Sequence, residues 1–381
     1  MAGERVRLGV IGLGLIWQAQ HRPNLAALSD RFRVVHVCDL SPALARSSAS
    51  ALLGDVRAST DWRAVCADPE VDAILLLTPG DHTPQVRGAL EADKHVLVEK
   101  PLSFTVGAAK DLERVAVERN RVLQVSYMKM YDPIIERARG ALATVGARRL
   151  VRVTVLHPAD SWQTEHLALE RAEDVDRGAA RAAEREAWDR VTAVLGDAPT
   201  GLQRLYLSPL LTSVCHELSV LRALEIPLPS RFLAARAWPF DPSRPGDEPP
   251  TIEALADIGS GTVLSLVWAW LPDYPEYFEE LAVYGTAGRV HLSMPAPYLG
   301  DARAALRVER LEPDGTRSDT TLRASRTTGF RRSLEAFADS IQAGATVRST
   351  ASGAAADLAC LQQLVAAVAA GDGFSIRTEG C

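Results

Sequence analysis

The first 125 residues alternate between short apolar runs and longer helical patterns, and this alternation constrains the fold more than any other feature. The runs RVRLGVIG, RFRVVHVCDL, VDAILLLTP, HVLVEKP and RVLQVSYMK read as strands, and segments of helical length separate them. Strands joined by such helices pair in parallel through right-handed crossovers. Continuous apolar strands are typical of a sheet that is covered on both faces. We therefore predict a doubly wound α/β domain over residues 1–127.

The pattern changes after residue 127. From 231 to 323 strand-like segments dominate, and Gly and Pro punctuate them in a manner suited to an antiparallel sheet. Residues 160–205 are rich in Glu, Arg and Ala and predict a helical excursion. The tail returns to two helices, each ended by glycine. Residues 128–381 are thus predicted to form an α+β domain with a largely antiparallel open sheet.

Bulk composition excludes several classes of protein. The net charge of −6 comes without a long basic tract, which argues against a nucleic-acid partner. The N-terminus lacks the regions of a signal peptide, and no apolar run approaches the ~20 residues that span a bilayer. The cysteines are odd in number, scattered and without a CxxC pair, which predicts reduced thiols, a cytoplasmic protein and no metal site. They are Cys38, Cys66, Cys215, Cys360 and Cys381.

A glycine-rich turn, GVIGLGLIWQAQ, lies between the first strand and the first helix. Gly12 and Gly14 stand where the chain must turn tightly and bring backbone N–H groups near a pyrophosphate, with Leu15 and Ile16 opening the helix. Trp17 occupies the place of the usual third glycine. Its large ring either covers the pyrophosphate or pushes the helix outward.

The second strand ends in Asp39. An acidic residue there accepts hydrogen bonds from the ribose hydroxyls of a dinucleotide and repels a 2′-phosphate, so NAD is preferred over NADP. The alternative makes Asp39 the N-cap of the helix that starts near Pro42.

Glu99 and Lys100 follow the buried strand HVLV and precede Pro101. They therefore lie at the carboxyl end of the sheet, where open α/β folds bind ligands. A lysine there can take a proton from an alcohol or return it to an alkoxide. Only four of the 42 basic residues are lysines, which gives each lysine more weight. A surface salt bridge between Glu99 and Lys100 is the alternative.

Three further motifs contain polar candidates. LLLTPGDH places Thr78 and His82 at the end of another buried strand, as cofactor contacts or as turn residues. SYMKMYDP places Lys129 and Tyr131 after the last strand of the first domain, as donors to a polyol in the cleft or as surface side chains. Taken alone, His216 in LTSVCHELSV is more typical of a structural helix residue than of a catalyst.

Together these motifs resemble the Gfo/Idh/MocA family, named for glucose–fructose oxidoreductase, inositol dehydrogenase and MocA. The resemblance is dense from Leu8 to Pro133 and looser beyond, and HVLVEKP is its most specific element. It implies an N-terminal Rossmann domain, a C-terminal α+β domain, and reversible hydride transfer at the hydroxyl or keto group of a sugar, cyclitol or glycoside-like substrate.

The resemblance also implies roles for single residues. Lys100 becomes the acid–base residue, and His216 falls where the family places a histidine near the reacting hydroxyl. Thr212 stands four residues before His216, where many relatives have an aspartate, and it is taken as a substrate contact with Lys129 and Tyr131. The implied cofactor contacts are Gly12, Gly14, Leu15, Ile16, Asp39, Thr78, His82 and Glu99.

Two rival functions remain open from the sequence. The first is reduction of an imine or another non-sugar carbonyl, for which VWAWLPDYPEYF could supply an apolar pocket. The second is a non-catalytic protein that senses dinucleotide, favoured by Trp17 and by the missing aspartate. The expected partners are a carbohydrate-like small molecule and a second copy of the chain, in a homodimer or homotetramer through the C-terminal sheet, with no membrane.

Overall fold

The computed structural model describes residues 4–379 except 176, 230, 245, 247, 301, 325 and 326, so Cys381 lies outside the described residues. The chain forms two compact units, and each unit contains three chain segments. The first unit consists of Met1–Met128, Leu167–Ala193 and Phe330–Ala356. The second consists of Lys129–His166, Val194–Gly329 and Asp357–Cys381.

The first unit contains a six-stranded sheet in which every neighbouring pair is parallel, in the order β3-β2-β1-β4-β5-β6. This confirms the predicted doubly wound arrangement. The strand order reverses between β1 and β4, which is the switch point where such sheets bind ligands. The strands are β1 (Val6–Ile11), β2 (Phe32–Cys38), β3 (Arg57–Ser59), β4 (Ala73–Leu76), β5 (His95–Val98) and β6 (Leu123–Val125).

Helices cover the sheet, and their starts follow local capping rules. Ser41 caps α2 and Thr105 caps α5, each by accepting a hydrogen bond from a backbone N–H in the first turn. A π-helical turn, Trp17–His21, precedes α1. The helices between the strands are α1 (Arg22–Ala27), α2 (Pro42–Ser50), α3 (Trp62–Ala67), α4 (Thr83–Glu91) and α5 (Val106–Glu118).

Trp17 belongs to the core of the first unit. Its side chain is fully buried in a cluster that includes Val10, Leu13, Leu97 and Phe337. Burying so large a ring stabilises the unit by several kcal/mol, on the order of the 3–5 kcal/mol lost when a core tryptophan is cut to alanine. The ring therefore packs in the core and leaves the glycine-rich turn uncovered.

The segment Leu167–Ala193 returns to the first unit. The sequence predicts helix throughout residues 160–205, but residues 167–175 are not helical. Their polar groups are bound by side chains of the first unit instead, as described below for Glu170 and Asp174. Helix follows in α8 (Arg177–Leu195), whose Arg190 lies 3.2 Å from the Asp81 carboxylate at the turn after β4.

The second unit contains an eight-stranded sheet in the order β14-β13-β12-β11-β7-β10-β9-β8. Only β7 and β10 pair in parallel among the described pairs, which confirms the largely antiparallel sheet. The strands are β7 (Arg148–His157), β8 (Arg231–Trp238), β9 (Thr251–Asp257), β10 (Val263–Trp270), β11 (Phe278–Gly285), β12 (Gly288–Met294), β13 (Ala305–Leu311) and β14 (Arg317–Arg323).

The remaining helices are α6 (Ile134–Leu142), α7 (Asp160–Thr164), α9 (Thr200–Leu205), α10 (Cys215–Ala223), α11 (Gly329–Ala343) and α12 (Ala351–Gly371). By length and composition α12 could cross a membrane, so the expectation that no segment reaches that length is wrong. However, 61% of its most apolar stretch is buried within the protein. A core helix passes the same test, and α12 is therefore weak support for a membrane span.

Candidate active site

The glycine-rich turn after β1 needs both of its glycines, for different reasons. Gly12 has φ +94°, and a Cβ placed on it would lie 2.8 Å from Leu77 C and Thr78 N at the end of β4. Gly14 faces open space, because a Cβ there would meet nothing within 4 Å. Leu15 and Ile16 begin the helical turn that follows. Gly12 therefore lets two chain segments meet, and Gly14 leaves room at the helix N-terminus.

Asp39 ties the first turn to the second. Its Oδ2 accepts a hydrogen bond from Leu13 N at 2.8 Å, and its Oδ1 accepts one from Ser41 N at 2.9 Å. Ser41, and not Asp39, is the N-cap of α2, so the N-cap alternative is wrong. Each carboxylate oxygen can accept more than one hydrogen bond. Asp39 can thus still receive ribose hydroxyls.

The end of β4 presents a polar atom that lacks a partner. The Thr78 Oγ1 is buried and has no hydrogen-bond partner among the residues that the structure describes. An orphaned buried hydroxyl at a switch point is a candidate for binding a ligand. Together with the space at Gly14 and the Asp39 carboxylate, it fits a dinucleotide along this edge of the sheet.

His82 holds two turns together. Its Nε2 lies 2.6 Å from Thr78 O, its Nδ1 lies 2.7 Å from Pro101 O, and its side chain is fully buried. With both ring nitrogens facing backbone carbonyls, His82 has no ring atom left for a cofactor. We therefore correct its role from a cofactor contact to a residue that positions Thr78 and the turn after Lys100.

Glu99 and Lys100 lie at the carboxyl end of β5, as predicted. The Glu99 carboxylate is buried, and its Oε1 lies 3.4 Å from Nε2 of His21. His21 is also buried, and no sequence motif indicated it. Burial raises the pKa of Glu99, but the hydrogen bond from His21 and the charges of His21 and Lys100 outweigh it and lower the pKa. Glu99 is therefore a buried anion beneath the half-buried Lys100, rather than half of a surface salt bridge.

In the second unit, Lys129 does not project as a substrate donor. Its ammonium is buried, 3.2 Å from Glu217 Oε1 and also bonded to Glu279. Tyr277 donates its hydroxyl hydrogen to Glu279 Oε2 at 2.5 Å. Tyr131 is buried as well, with 6% of its surface exposed. The predicted substrate contacts by Lys129 and Tyr131, and their alternative as surface side chains, are both wrong.

The cluster of Lys129, Glu217, Glu279 and Tyr277 contains two carboxylates for one ammonium. Burial raises the pKa of Glu217 to about 7, since the attraction of Lys129 does not offset the burial and the repulsion of Glu279. Glu217 Oε2 has no hydrogen-bond partner among the described residues. The cluster therefore gains or loses a proton near neutral pH.

His216 precedes Glu217 on α10 and is half-buried. Successive helical residues point about 100° apart, so the buried Glu217 anchors the helix while His216 faces a different direction. Thr212 is exposed, and its Oγ1 lies 3.4 Å from the Ser208 hydroxyl.

A cavity of about 640 Å³ opens within the second unit. Gln163 lines it, is 4% exposed, and has a buried Oε1 without a hydrogen-bond partner among the described residues. Arg303 and Arg323 also line the cavity, and no ion pair joins either to another residue that the structure describes. Of the stretch that predicted an apolar pocket, Pro275, Glu276 and Tyr277 line it. The cavity is therefore lined largely by apolar residues, with Gln163, Glu276 and the two arginines as polar groups.

Comparisons with known proteins agree with this geometry. Residues 6–127 match the model of an oxidoreductase family with an NAD-binding Rossmann fold. An inositol 2-dehydrogenase/D-chiro-inositol 3-dehydrogenase of Lacticaseibacillus casei is 30% identical over 157 residues, which are 40% of this chain and 45% of that protein. An inositol 2-dehydrogenase of Mycolicibacterium smegmatis is 36% identical over 130 residues, 34% of this chain and 37% of that protein. The chain thus spans less than half the length of these curated relatives.

Solved structures resemble the chain over nearly its whole length. A 3-ketoreductase from Actinomadura kijaniata, in complex with TDP-benzene and NADP, has a TM-score of 0.67 at 19% identity, covering 96% of this chain and 97% of that one. A UDP-N-acetylglucosamine 3-dehydrogenase from Acidithiobacillus ferrooxidans has a TM-score of 0.67 at 21% identity, covering 97% and 99%. At these identities the likeness shows the fold.

Two single substitutions in the glycine-rich turn have separable effects. Gly12→Ala is expected to destabilise the first unit, because its Cβ would press on the Leu77 and Thr78 backbone and its φ is left-handed. Gly14→Ala is expected to leave stability unchanged and to raise the dissociation constant for NADH, because its Cβ fills open space. Urea denaturation followed by circular dichroism and NADH titration measure the two effects. Equal NADH affinity in Gly14→Ala and the native chain would contradict this interpretation.

The buried Glu217 predicts a pH dependence of stability. Its folded pKa of about 7 exceeds the ordinary 4.5, so the folded state holds more protons than the unfolded state between these values. The contribution of Glu217 to the free energy of unfolding should therefore fall as the pH rises from 4.5 to 7 and level off above, whereas half-buried His95, whose pKa is lowered to about 4, contributes in the opposite direction. Glu217→Gln should remove this fall in urea denaturation across that range. Glu253→Gln, at an exposed position of β9, is the control and should keep it; an unchanged slope in Glu217→Gln would disprove the assignment.

Proposed function

We propose, from the premise that this chain belongs to the Gfo/Idh/MocA oxidoreductase family, that it transfers hydride between a nicotinamide cofactor and a hydroxyl or keto group of a sugar or cyclitol. The observation that carries the proposal is the pair of Lys100 and the buried Glu99 at the carboxyl end of β5. The inositol dehydrogenases among the relatives support the polyol class. A bound nicotinamide supplies or accepts the hydride.

Lys100 handles the proton in this proposal. In the direction of oxidation, its neutral amine accepts the proton of the hydroxyl as the carbon loses hydride, and the product is a carbonyl. In the direction of reduction, its ammonium returns a proton to the oxygen. The positive charge of Lys100 lowers the pKa of the buried Glu99 carboxyl, so the two groups attract each other. This attraction holds the lysine at the edge of the sheet.

His216 orients or polarises the reacting oxygen, and Thr212 remains a proposed substrate contact. The exposed position of Thr212 and the half-buried position of His216 leave both side chains accessible to a ligand. Helix α10 is anchored from its buried side by Glu217, which gives His216 a fixed base. Fixed placement of such a group is worth more to catalysis than flexible reach.

NAD is the preferred cofactor in this proposal. The Asp39 carboxylate at the end of β2 is placed to accept ribose hydroxyls and to repel a 2′-phosphate. Leu15, Ile16 and Gly14 would hold the pyrophosphate through the helix N-terminus, and Thr78 would donate or accept a hydrogen bond. The 3-ketoreductase neighbour is in complex with NADP, so the cofactor of this chain needs its own measurement.

A second candidate substrate class is a sugar that carries an anionic group. Arg303, Arg323 and the unpartnered Gln163 amide in the second-unit cavity favour it, because guanidinium groups bind phosphates and amides bind hydroxyls. Two structural neighbours are described as acting on or binding nucleotide-linked compounds. The apolar residues that line the rest of the cavity leave the imine reductase as an alternative.

We also propose that the protein is a cytoplasmic homodimer or homotetramer. Several large apolar side chains on the strands of the eight-stranded sheet are exposed, as a face that pairs with a second copy would require. The most exposed of them are Trp238 at 76%, Leu311 at 63%, Leu233 at 49% and Leu255 at 43%.

Lys100→Ala tests the proposed function directly. The substitution should reduce kcat on an accepted polyol by roughly 10²–10⁴-fold, because it removes the acid–base group. The dissociation constant for NADH should stay within a few-fold, measured by fluorescence titration. Lys110→Ala, at an exposed position of α5, removes the same charge and should leave kcat unchanged. Unaltered turnover in Lys100→Ala would end the assignment, and tight NADH binding by a native chain that turns over no polyol would favour a dinucleotide sensor.

Asp39→Asn tests the cofactor preference. The neutral amide should bind NADH more weakly and should narrow the ratio of NADPH to NADH dissociation constants, because it repels a 2′-phosphate less. Titration of the nucleotide fluorescence gives both constants. Asp55→Asn, in an exposed loop of the same unit, serves as the matched control. A ratio that stays the same in Asp39→Asn would remove Asp39 from the preference.

A further inference from the structure

Residues 167–175 form a non-helical segment, here called the strap, on the surface of the first unit, to which they belong. Gln18, in the turn after the glycine-rich loop, holds the strap at Glu170 from both sides. Its Nε2 donates to Glu170 O at 2.9 Å, and its Oε1 accepts from Glu170 N at 2.8 Å. The hydroxyl of Ser47 on α2 donates to the Glu170 carboxylate at 2.5 and 2.6 Å. The strap is thus fastened to both elements that follow the first two strands.

The strap ends with a carboxylate on the N-terminus of α2. Asp174 Oδ2 accepts a hydrogen bond from Ala43 N at 3.0 Å, and Asp174 Oδ1 accepts one from the Ser41 hydroxyl. The hydrogen bond from Ser41, the hydrogen bond from Ala43 N and the charge of Arg46 together lower the pKa of Asp174. Asp174 is therefore an anion held by a hydroxyl and a backbone N–H, and the charge of Arg46 favours it without an ion pair among the described residues.

These three donors are the groups with which proteins bind a phosphate monoester. They lie two to seven residues after Asp39, whose carboxylate is the ribose-binding candidate. In a dinucleotide-binding domain the region beside that acidic residue receives the 2′-position of the adenosine ribose, and an arginine there accommodates a 2′-phosphate. The chain thus contains the donors for a 2′-phosphate, and its own carboxylate uses them.

We propose that Asp174 is the residue that excludes NADP, because it occupies the anion site formed by the Ser41 hydroxyl and Ala43 N beside the ribose position, with the Arg46 charge in the same region. This inference rests on the proposed function, since it needs a dinucleotide in the first unit. It differs from the role of Asp39, which acts by repulsion alone. Two carboxylates act in this scheme, and Asp39→Asn on its own leaves the second one in place.

Asp174→Ala tests the inference by binding rather than by turnover. Removal of the carboxylate should free the hydroxyl, the N–H and the guanidinium, and should tighten NADPH binding by roughly tenfold or more, as a charged hydrogen bond implies. NADH affinity should change by no more than a few-fold. Asp174→Asn should give a smaller gain, because its amide still occupies the site. Equilibrium fluorescence titrations with NADH and with NADPH supply both dissociation constants for the full native chain and for each variant.

Two further variants control the experiment. Glu173→Ala removes an exposed charge from the neighbouring strap position and should leave both affinities unchanged. The double variant Asp174→Ala with Arg46→Gln should lose the gain in NADPH affinity, because the freed site then lacks its cation.

The outcomes separate this inference from the proposed function. Unchanged NADPH affinity in Asp174→Ala, with intact NADH binding, overturns the inference and leaves the oxidoreductase proposal standing. A loss of NADH affinity in Asp174→Ala also overturns it, because the strap would then be a tether that supports the fold. A native chain that binds neither nucleotide overturns the proposed function itself.

Discussion

The close passage of Gly12 against the end of β4 is the constraint on which the first unit depends. The absence of a side chain lets the backbone after β1 approach Leu77 and Thr78 to a distance that a Cβ would forbid. Strands β1 and β4 are neighbours at the point where the strand order reverses, so their connections leave in opposite directions. A crevice opens between those connections, and its floor is set by the contact at Gly12.

Two side chains, Asp39 and His82, then link the turns along the rest of this edge. Asp39 joins the turns after β1 and β2 through two backbone N–H groups, and His82 joins the turns after β4 and β5 through two backbone carbonyls. The hydrogen bonds of each side chain satisfy polar backbone groups that would otherwise be costly to bury. The polar side chains that could meet a ligand are therefore presented by turns that are tied to one another. Lys100 lies in the last of these turns, one residue before the Pro101 carbonyl that His82 binds, and takes its position from it.

The buried strands could be predicted from the sequence, including the edge strand β6, whereas two exposed edge strands could not. Strands such as β1, β4 and β5 are apolar because they are buried on both faces, and that burial is visible as a run of letters. The strands β3 and β14 lie at the sheet edges, are largely exposed, and read as polar segments without a strand pattern. The helix predicted for residues 167–175 is wrong for the opposite reason. Their composition favours a helix, but hydrogen bonds from Gln18, Ser41 and Ser47 hold them in a non-helical conformation.

The two selected lysines show how little the local sequence says about the surroundings of a side chain. Both lysines follow buried strands of the first unit, and the residues beside them in the sequence do not distinguish their roles. Lys129 meets Glu217 and Glu279, which are 88 and 150 residues away, and these carboxylates raise its pKa against the effect of burial. Loss of its proton would leave two buried carboxylates without a counter-charge, which costs several kcal/mol. Lys129 is therefore fixed as a cation and holds α10 in place. Lys100 is half-buried next to the buried Glu99 anion, so it keeps the exposure that its proposed contact with a substrate requires.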